Sequence, residues 1–199
     1  MDLLTRLRSE TSARHQQTEA LLYADKLMNG TLTRIEYEHL LAIHHLFHQS
    51  LEAAVAAQVV ATQTHFFAGY DRELRRKTPW LMADLQGLGL PLPDVYPGLF
   101  ANWNGYQLLG ALYVAEGSTL GGRVIANALR RTSGLGDVAA KSRFFGGYGE
   151  QTGPLWKAFG TYLTGRADGH DEVIIGAAIG AFDRFQQVAT QIASPVLSN

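Results

Sequence analysis

Apolar residues return at steps of three and four along most of this chain, the spacing of helices that each turn one face inward. Leu4, Leu7, Thr11, His15, Thr18 and Leu22 share one face of a first helix, and Asn29-Gly30 ends it. A second helix opens at Thr31 or Thr33 with Glu36 in its first turn. Its inward stripe is Leu40, Ile43, Phe47, Leu51 and Ala54. A third helical stretch covers much of 66–87 and stops at Gly87-Leu88-Gly89-Leu90-Pro91, after which Pro91–Pro97 reads as a proline-marked loop. A long apolar helix follows from about Leu99 to Arg131, and a glycine-rich loop spans Phe144–Gly153. Two helices near 154–165 and 170–193 close the chain. Apolar/polar alternation persists nowhere, so strand content is expected to be close to zero. With no low-complexity linker and no internal repeat, the expectation is an all-α, single-domain helical bundle over residues 1–199, with about six helices.

Composition narrows the chemistry. The 199 residues include no cysteine, which excludes disulfides, thiolate metal sites, iron–sulfur clusters and a thiol nucleophile. Seventeen Lys+Arg stand against 18 Asp+Glu, a balance that gives no electrostatic case for nucleic acid or an anionic membrane. The N-terminus is charged throughout, unlike a signal peptide, and no uncharged apolar run approaches the roughly 18 residues of a membrane span. A soluble, cytoplasmic protein is the expectation.

The long helix carries an unusual cost. Gly110, Gly117, Gly121 and Gly122 all lie within it, and each glycine in a helix interior costs roughly 0.5–1 kcal/mol relative to alanine. At about 100° per residue the first three fall on one side, leaving a bare strip. Close approach of a neighbouring helix, or a break at Gly121-Gly122, accounts for such a strip. So does a flat, bulky ligand lying against the backbone, with the helix kinked over it.

His15 lies in the first helix's apolar stripe and so is expected to point inward. It reads either as a packed core residue or as a metal ligand whose second ring nitrogen is held by Glu19, one turn on. A single protein ligand suits haem iron, whose porphyrin supplies four nitrogens. The second helix offers a competing pattern. Glu36-Tyr-Glu-His39 has the E-x-x-H spacing of di-iron bundles, and His44, His48 and Glu52 stand at i, i+4 and i+8. The bland reading makes these histidines surface or boundary residues. Arg72, Arg75, Arg76 and Lys77 form a basic cluster on the third helical stretch, a solvated face or a dock for an acidic electron donor such as a ferredoxin.

The segment from Arg8 through His15-Gln-Gln-Thr-Glu19 to Asn29-Gly30 resembles the proximal helix of the haem oxygenases. Leu112-Tyr-Val-Ala-Glu-Gly117-Ser-Thr-Leu-Gly121-Gly122-Arg123 resembles their distal helix in its bacterial form, and the likeness continues through Trp156-Lys157-Ala158-Phe159 and Ala178–Val188. The resemblance implies a haem-degrading enzyme that uses O2 and reducing equivalents to give biliverdin, ferrous iron and CO, with haem as both substrate and cofactor. It implies His15 as the proximal iron ligand and Glu19 as its partner. Gly117, Ser118 and Gly121 would form the distal wall, joined by Tyr113, with Phe182 and Phe185 packed at the porphyrin or in the core. Arg8 and Lys157 would meet the propionates. Ser118 stands where animal members place an aspartate, and Thr161 where the family has an arginine. No tightly bound flavin or separate metal is implied. The implied partners are haem, O2, an electron donor such as ferredoxin or a flavin reductase, and a bilin-accepting photoreceptor. The alternatives kept beside this are a haem carrier without turnover and a non-haem di-iron oxygenase on a related helical fold.

Overall fold

The computed structural model describes residues 1–62, 65–94, 96 and 98–193. The expected loop at Pro91–Pro97 lies partly outside them, at positions 95 and 97. Every regular element among the described residues is helical, and the fold is all-α.

The proximal segment is two helices, α1 (Leu3–Glu10) and α2 (Ser12–Leu21), hinged at Thr11. The Thr11 hydroxyl donates back to the Leu7 carbonyl at 2.7 Å, so the hitch stays hydrogen-bonded although the helix is interrupted. After Tyr23, held at φ 60°, the short α3 (Ala24–Met28) runs to Asn29-Gly30. The helix α4 (Arg34–Thr62) then starts on a reciprocal cap. Glu36 accepts from the Thr33 amide at 2.9 Å, and Thr33 Oγ1 accepts from the Glu36 amide at 3.3 Å.

Two boundaries differ from the sequence expectation. Residues 68–77 are turns and irregular backbone, and the α-helix of that stretch, α5, covers only Thr78–Gly87. Its start is fixed from afar, since Glu52 on α4 accepts the amides of Lys77 at 2.7 Å and Thr78 at 3.1 Å. The long helix α6 covers Gly105–Arg131, beginning several residues after Leu99 because Asn104 and Gln107 form a capping box. It continues as α-helix through Gly121-Gly122, which removes the helix-break reading of those glycines.

The expected glycine-rich loop Phe144–Gly153 is shorter than its sequence suggests. Between the short α7 (Gly136–Ala139) and α9 (Thr152–Ala167), Phe144 and Phe145 are buried in α8 (Arg143–Gly146). Asp84 anchors this turn by accepting the amides of Arg143 at 2.7 Å and Phe144 at 3.0 Å. The final helix, α10 (Asp171–Ala193), packs along α6.

Two apolar clusters form the interior. One gathers Ile43, Phe47, Leu108, Leu112, Phe159 and Phe185, the other Tyr37, Leu41, Leu81, Leu129 and Phe145. The helices α4 and α6 contribute to both, and the space between α6 and the proximal segment is left open.

Candidate functional site

A cavity of about 660 Å3 lies between the proximal segment and α6. Arg8, Thr11, His15, Thr18 and Glu19 form one wall. Tyr113, Gly117, Ser118, Leu120 and Gly121 form the other, while His44, Phe182, Phe185 and Trp156 close it behind.

His15 does not pack into the core. Its side chain is 56% exposed, standing in the cavity with its ring edge-on to Phe182 at 5.7 Å. The carboxylate of Glu19 lies 3.4 Å from His15 Nδ1, as the i, i+4 spacing predicts, which leaves Nε2 for a partner in the cavity.

The four glycines of α6 divide into two pairs. A methyl on Gly110 would overlap the Ile174 carbonyl and approach the Ala178 amide to 2.7 Å, so this glycine serves the crossing with α10. Gly122 similarly abuts the Phe145 carbonyl, 3.1 Å from where a Cβ would stand. Gly117 and Gly121 face the cavity, where a Cβ would meet nothing nearer than the Trp156 ring at 3.8 Å and Ile125 at 4.0 Å. Helix packing explains one pair, and a bare cradle on the cavity wall is what the other provides.

Ser118 lines this wall, but its hydroxyl donates to the Ala115 carbonyl at 2.8 Å. Burial raises the Tyr113 phenol above its ordinary pKa, while a hydrogen bond with Thr11 across the cavity pulls the other way. The Lys157 side chain is exposed on α9 and is not part of the cavity wall. Thr161 is also exposed, its hydroxyl donating to the Lys157 carbonyl at 3.3 Å.

His44 was not singled out for this cavity by its sequence. It is buried at the back wall, and burial lowers its pKa to about 3, so its ring is neutral. It stacks on His48 at 6.0 Å with the rings 13° apart. His44 Nδ1, His48 Nε2 and both nitrogens of His45 have no hydrogen-bond partner among the described residues. These three histidines are core residues, neither surface nor boundary. The available signal is the lack of any charge between Glu38 and Glu52, which marks this part of α4 as a helix buried on all sides.

The competing metal pattern is not assembled. Glu36 is held by its cap and by Lys26, His39 Nδ1 contacts the Tyr23 hydroxyl at 3.1 Å, and Glu52 caps α5. Among the described residues no three His, Asp or Glu side chains gather into a metal-binding group. The basic cluster is also dispersed, because Arg75 and Lys77 are buried against Glu116 of α6 while Arg72 and Arg76 remain outside.

An all-helical chain that opens one cavity between a histidine-bearing helix and a glycine-faced helix has the fold of the haem oxygenases. The solved haem oxygenase of Neisseria meningitidis, in its NO- and CO-bound forms, superimposes with a TM-score of 0.76 over 100% of this chain and 96% of its own, at 19% identity. At that identity the likeness speaks for the fold. A family model described as haem oxygenase matches residues 1–91. A curated haem oxygenase from Xanthomonas campestris pv. campestris (strain 8004) is 35% identical in a 99-residue alignment covering 41% of this chain. That alignment spans 56% of the relative's length. The chain is thus similar to bacterial haem oxygenases in its N-terminal sequence, spans about half the length of the curated relative it matches, and shares the haem oxygenase fold along its full length.

Proposed function

We propose that the protein is a haem oxygenase, cleaving haem with O2 and reducing equivalents to biliverdin, ferrous iron and CO. One observation carries the reading. His15, with Glu19 at its Nδ1, and the bare faces of Gly117 and Gly121 line the same cavity, whose volume is about 660 Å3.

The residues present fit a haem. A flat ring needs two close walls, and the missing side chains at Gly117 and Gly121 are a cradle that any Cβ would fill. His15 Nε2 would ligate the iron, and one protein ligand suffices because the porphyrin supplies four more. Bound there, haem supplies both the iron centre that activates O2 and the ring that is oxidised.

The remaining work belongs to the chain. Glu19, with its carboxylate 3.4 Å from His15 Nδ1, would favour the tautomer that keeps the proton on Nδ1 and presents Nε2 as a lone pair. Gly117 and Gly121 put no side chain on their wall of the cavity that could ligate the iron, and so would leave room there for O2. Phe182 and Phe185 would exclude water from the back of the cavity. Arg8 at the mouth supplies a guanidinium for a propionate, and Lys157 would reach the other from outside the wall. Ser118 and Tyr113 are the hydroxyls on the distal side that can hold water and pass a proton to the reacting face. A protein electron donor, a ferredoxin or a flavin reductase, completes the scheme in a cytoplasmic setting without a bound flavin or a second metal. A bilin-accepting photoreceptor is the proposed consumer.

A haem carrier is the second reading. It is favoured by Ser118, whose hydroxyl turns back on the Ala115 carbonyl, and by a cavity wall to which α6 contributes no carboxylate among the described residues. Turnover separates the two. With reductant and air, an enzyme converts its haem absorption into that of a bilin, and a carrier keeps its haem spectrum.

A further inference from the structure

The buried acid on the distal helix has no place in the scheme above. Glu116 is 1% exposed, immediately precedes Gly117, and turns away from the cavity. Arg75 Nη1 donates to its Oε2 at 2.6 Å, and Lys77 Nζ donates to Oε1. The Tyr70 hydroxyl donates to Oε1 at 3.2 Å, and the Tyr148 hydroxyl lies 3.3 Å from both oxygens. All four donors come from connecting segments, 68–77 and 147–148, that lack long helices of their own.

Arg75 does a second thing. Its Nη2 donates to the Leu155 carbonyl at 3.1 Å, and Leu155 is the residue before Trp156. The Trp156 ring in turn stands 3.8 Å from where a Cβ on Gly117 would be. One guanidinium fork therefore ties the residue before Gly117 to the residue before the aromatic ring that faces it. The fork is itself sandwiched, 5.4 Å from the Tyr70 ring centre and 5.8 Å from that of Phe159. An apolar cluster of the same volume would be at least as stable here, since buried ion pairs seldom outweigh their desolvation. What a bidentate arginine adds is direction.

We propose that Glu116 and Arg75 are positioning residues: their ion pair sets Trp156 against Gly117 and so fixes the width of the cavity at that end. Lys77 sets a second cation against the same carboxylate. The consequence for a flat ligand rests on the haem reading. A porphyrin can enter this cavity in two orientations related by a half-turn, and a wall held rigidly at one end discriminates between them.

The test uses the full-length protein labelled with 5-fluorotryptophan, whose three indoles are Trp80, Trp103 and Trp156. The Trp156 signal is assigned by its loss in Trp156→Phe. Arg75→Lys keeps the buried charge but has no fork to reach both Glu116 and Leu155. The expected result without any ligand is a shifted or broadened Trp156 fluorine signal. The Trp103 signal should stay in place, because that ring packs on Arg184, 4.4 Å from its guanidinium carbon and away from the cluster. With hemin and cyanide, the variant's proton spectrum should show the two ring orientations closer to equal by about tenfold than the parent's, the ratio that one charge-assisted hydrogen bond can account for. A folded Arg75→Lys with an unmoved Trp156 signal overturns the proposal, as does an unchanged orientation ratio. If Arg75→Lys fails to fold, Glu116→Leu/Arg75→Met/Lys77→Met, which carries no buried charge, is judged on the same signals. A parent protein that binds no hemin defeats the haem reading alone, and the ligand-free Trp156 signal still decides whether the ion pair positions that ring.

Discussion

Burial alone decides the protonation state of His44. Nothing charged faces its ring closely enough to offset desolvation, so its pKa falls to about 3. The same cause, reinforced by the Lys77 cation, holds His48 well below its ordinary value. The sign follows from comparing folded and unfolded chains. Between the ordinary value of 6.5 and about 3, the unfolded His44 binds a proton that the folded protein refuses. Stability therefore rises with pH across that window and is lost as pH falls. Urea denaturation at pH 4 to 6 should show His44→Leu with a slope lower than the parent's by up to about 1.4 kcal/mol per pH unit, one proton's worth. Equal slopes would mean that the ring is charged or hydrated in the native state.

At this same scale the sequence was unevenly legible. His15 and Glu19 meet because a helix brings i and i+4 together, a local rule that needs no tertiary knowledge. The orientation of His15 was not legible, since its stripe neighbours Leu7 and Thr18 are buried while it stands in an open cavity. Periodicity marks the face that turns toward other elements. It does not say whether that face meets side chains or a space between them.

For the elements, the glycines of α6 make the sharpest distinction. Gly110→Ala would drive a methyl into the backbone of α10, and a backbone cannot swing aside as a side chain can. A loss of about 3 kcal/mol in chemical denaturation is expected, at the upper end for overpacking. Gly121→Ala meets only Ile125 of its own helix at 4.0 Å. It should stabilise the protein by about 0.5–1 kcal/mol through helix propensity while weakening hemin binding by filling the cradle. Were both variants to lose stability equally, the division of the strip into crossing and cradle would be wrong.

The misread elements failed for a physical reason that can be named. Arg72, Arg75, Arg76 and Lys77 have helical spacing, but Arg75 and Lys77 are drawn inward by a carboxylate some forty residues away, at Glu116. Glu52, on α4, then caps α5 at Lys77 and Thr78. Neither partner is visible locally. Pro79 was visible, and a proline in the first turn does mark where a helix begins. The Asn104–Gln107 capping box was legible in the same way and places the start of α6 where the structure has it.

Over the whole molecule, α4 and α6 each run through both apolar clusters, so neither cluster can lose its packing without stripping a helix from the other. The single-domain organisation proposed for residues 1–199 then requires one cooperative transition. Calorimetric and van't Hoff enthalpies should agree, and two resolved transitions would show that the clusters unfold independently. None of the described helices is long and apolar enough to cross a membrane.

The cavity is where the scales meet: an exposed imidazole, a wall with two bare glycines and a fold shared with the haem oxygenases. Adding one equivalent of hemin to the purified protein and following its optical spectrum, first alone and then with ascorbate or reduced ferredoxin under air, tests that conjunction most directly. The expected result is a histidine-ligated haem spectrum that depends on His15, is abolished in a folded His15→Ala, and decays into a bilin absorption on reduction. A haem spectrum that His15→Ala leaves unchanged, or a protein that takes up no hemin, would contradict it.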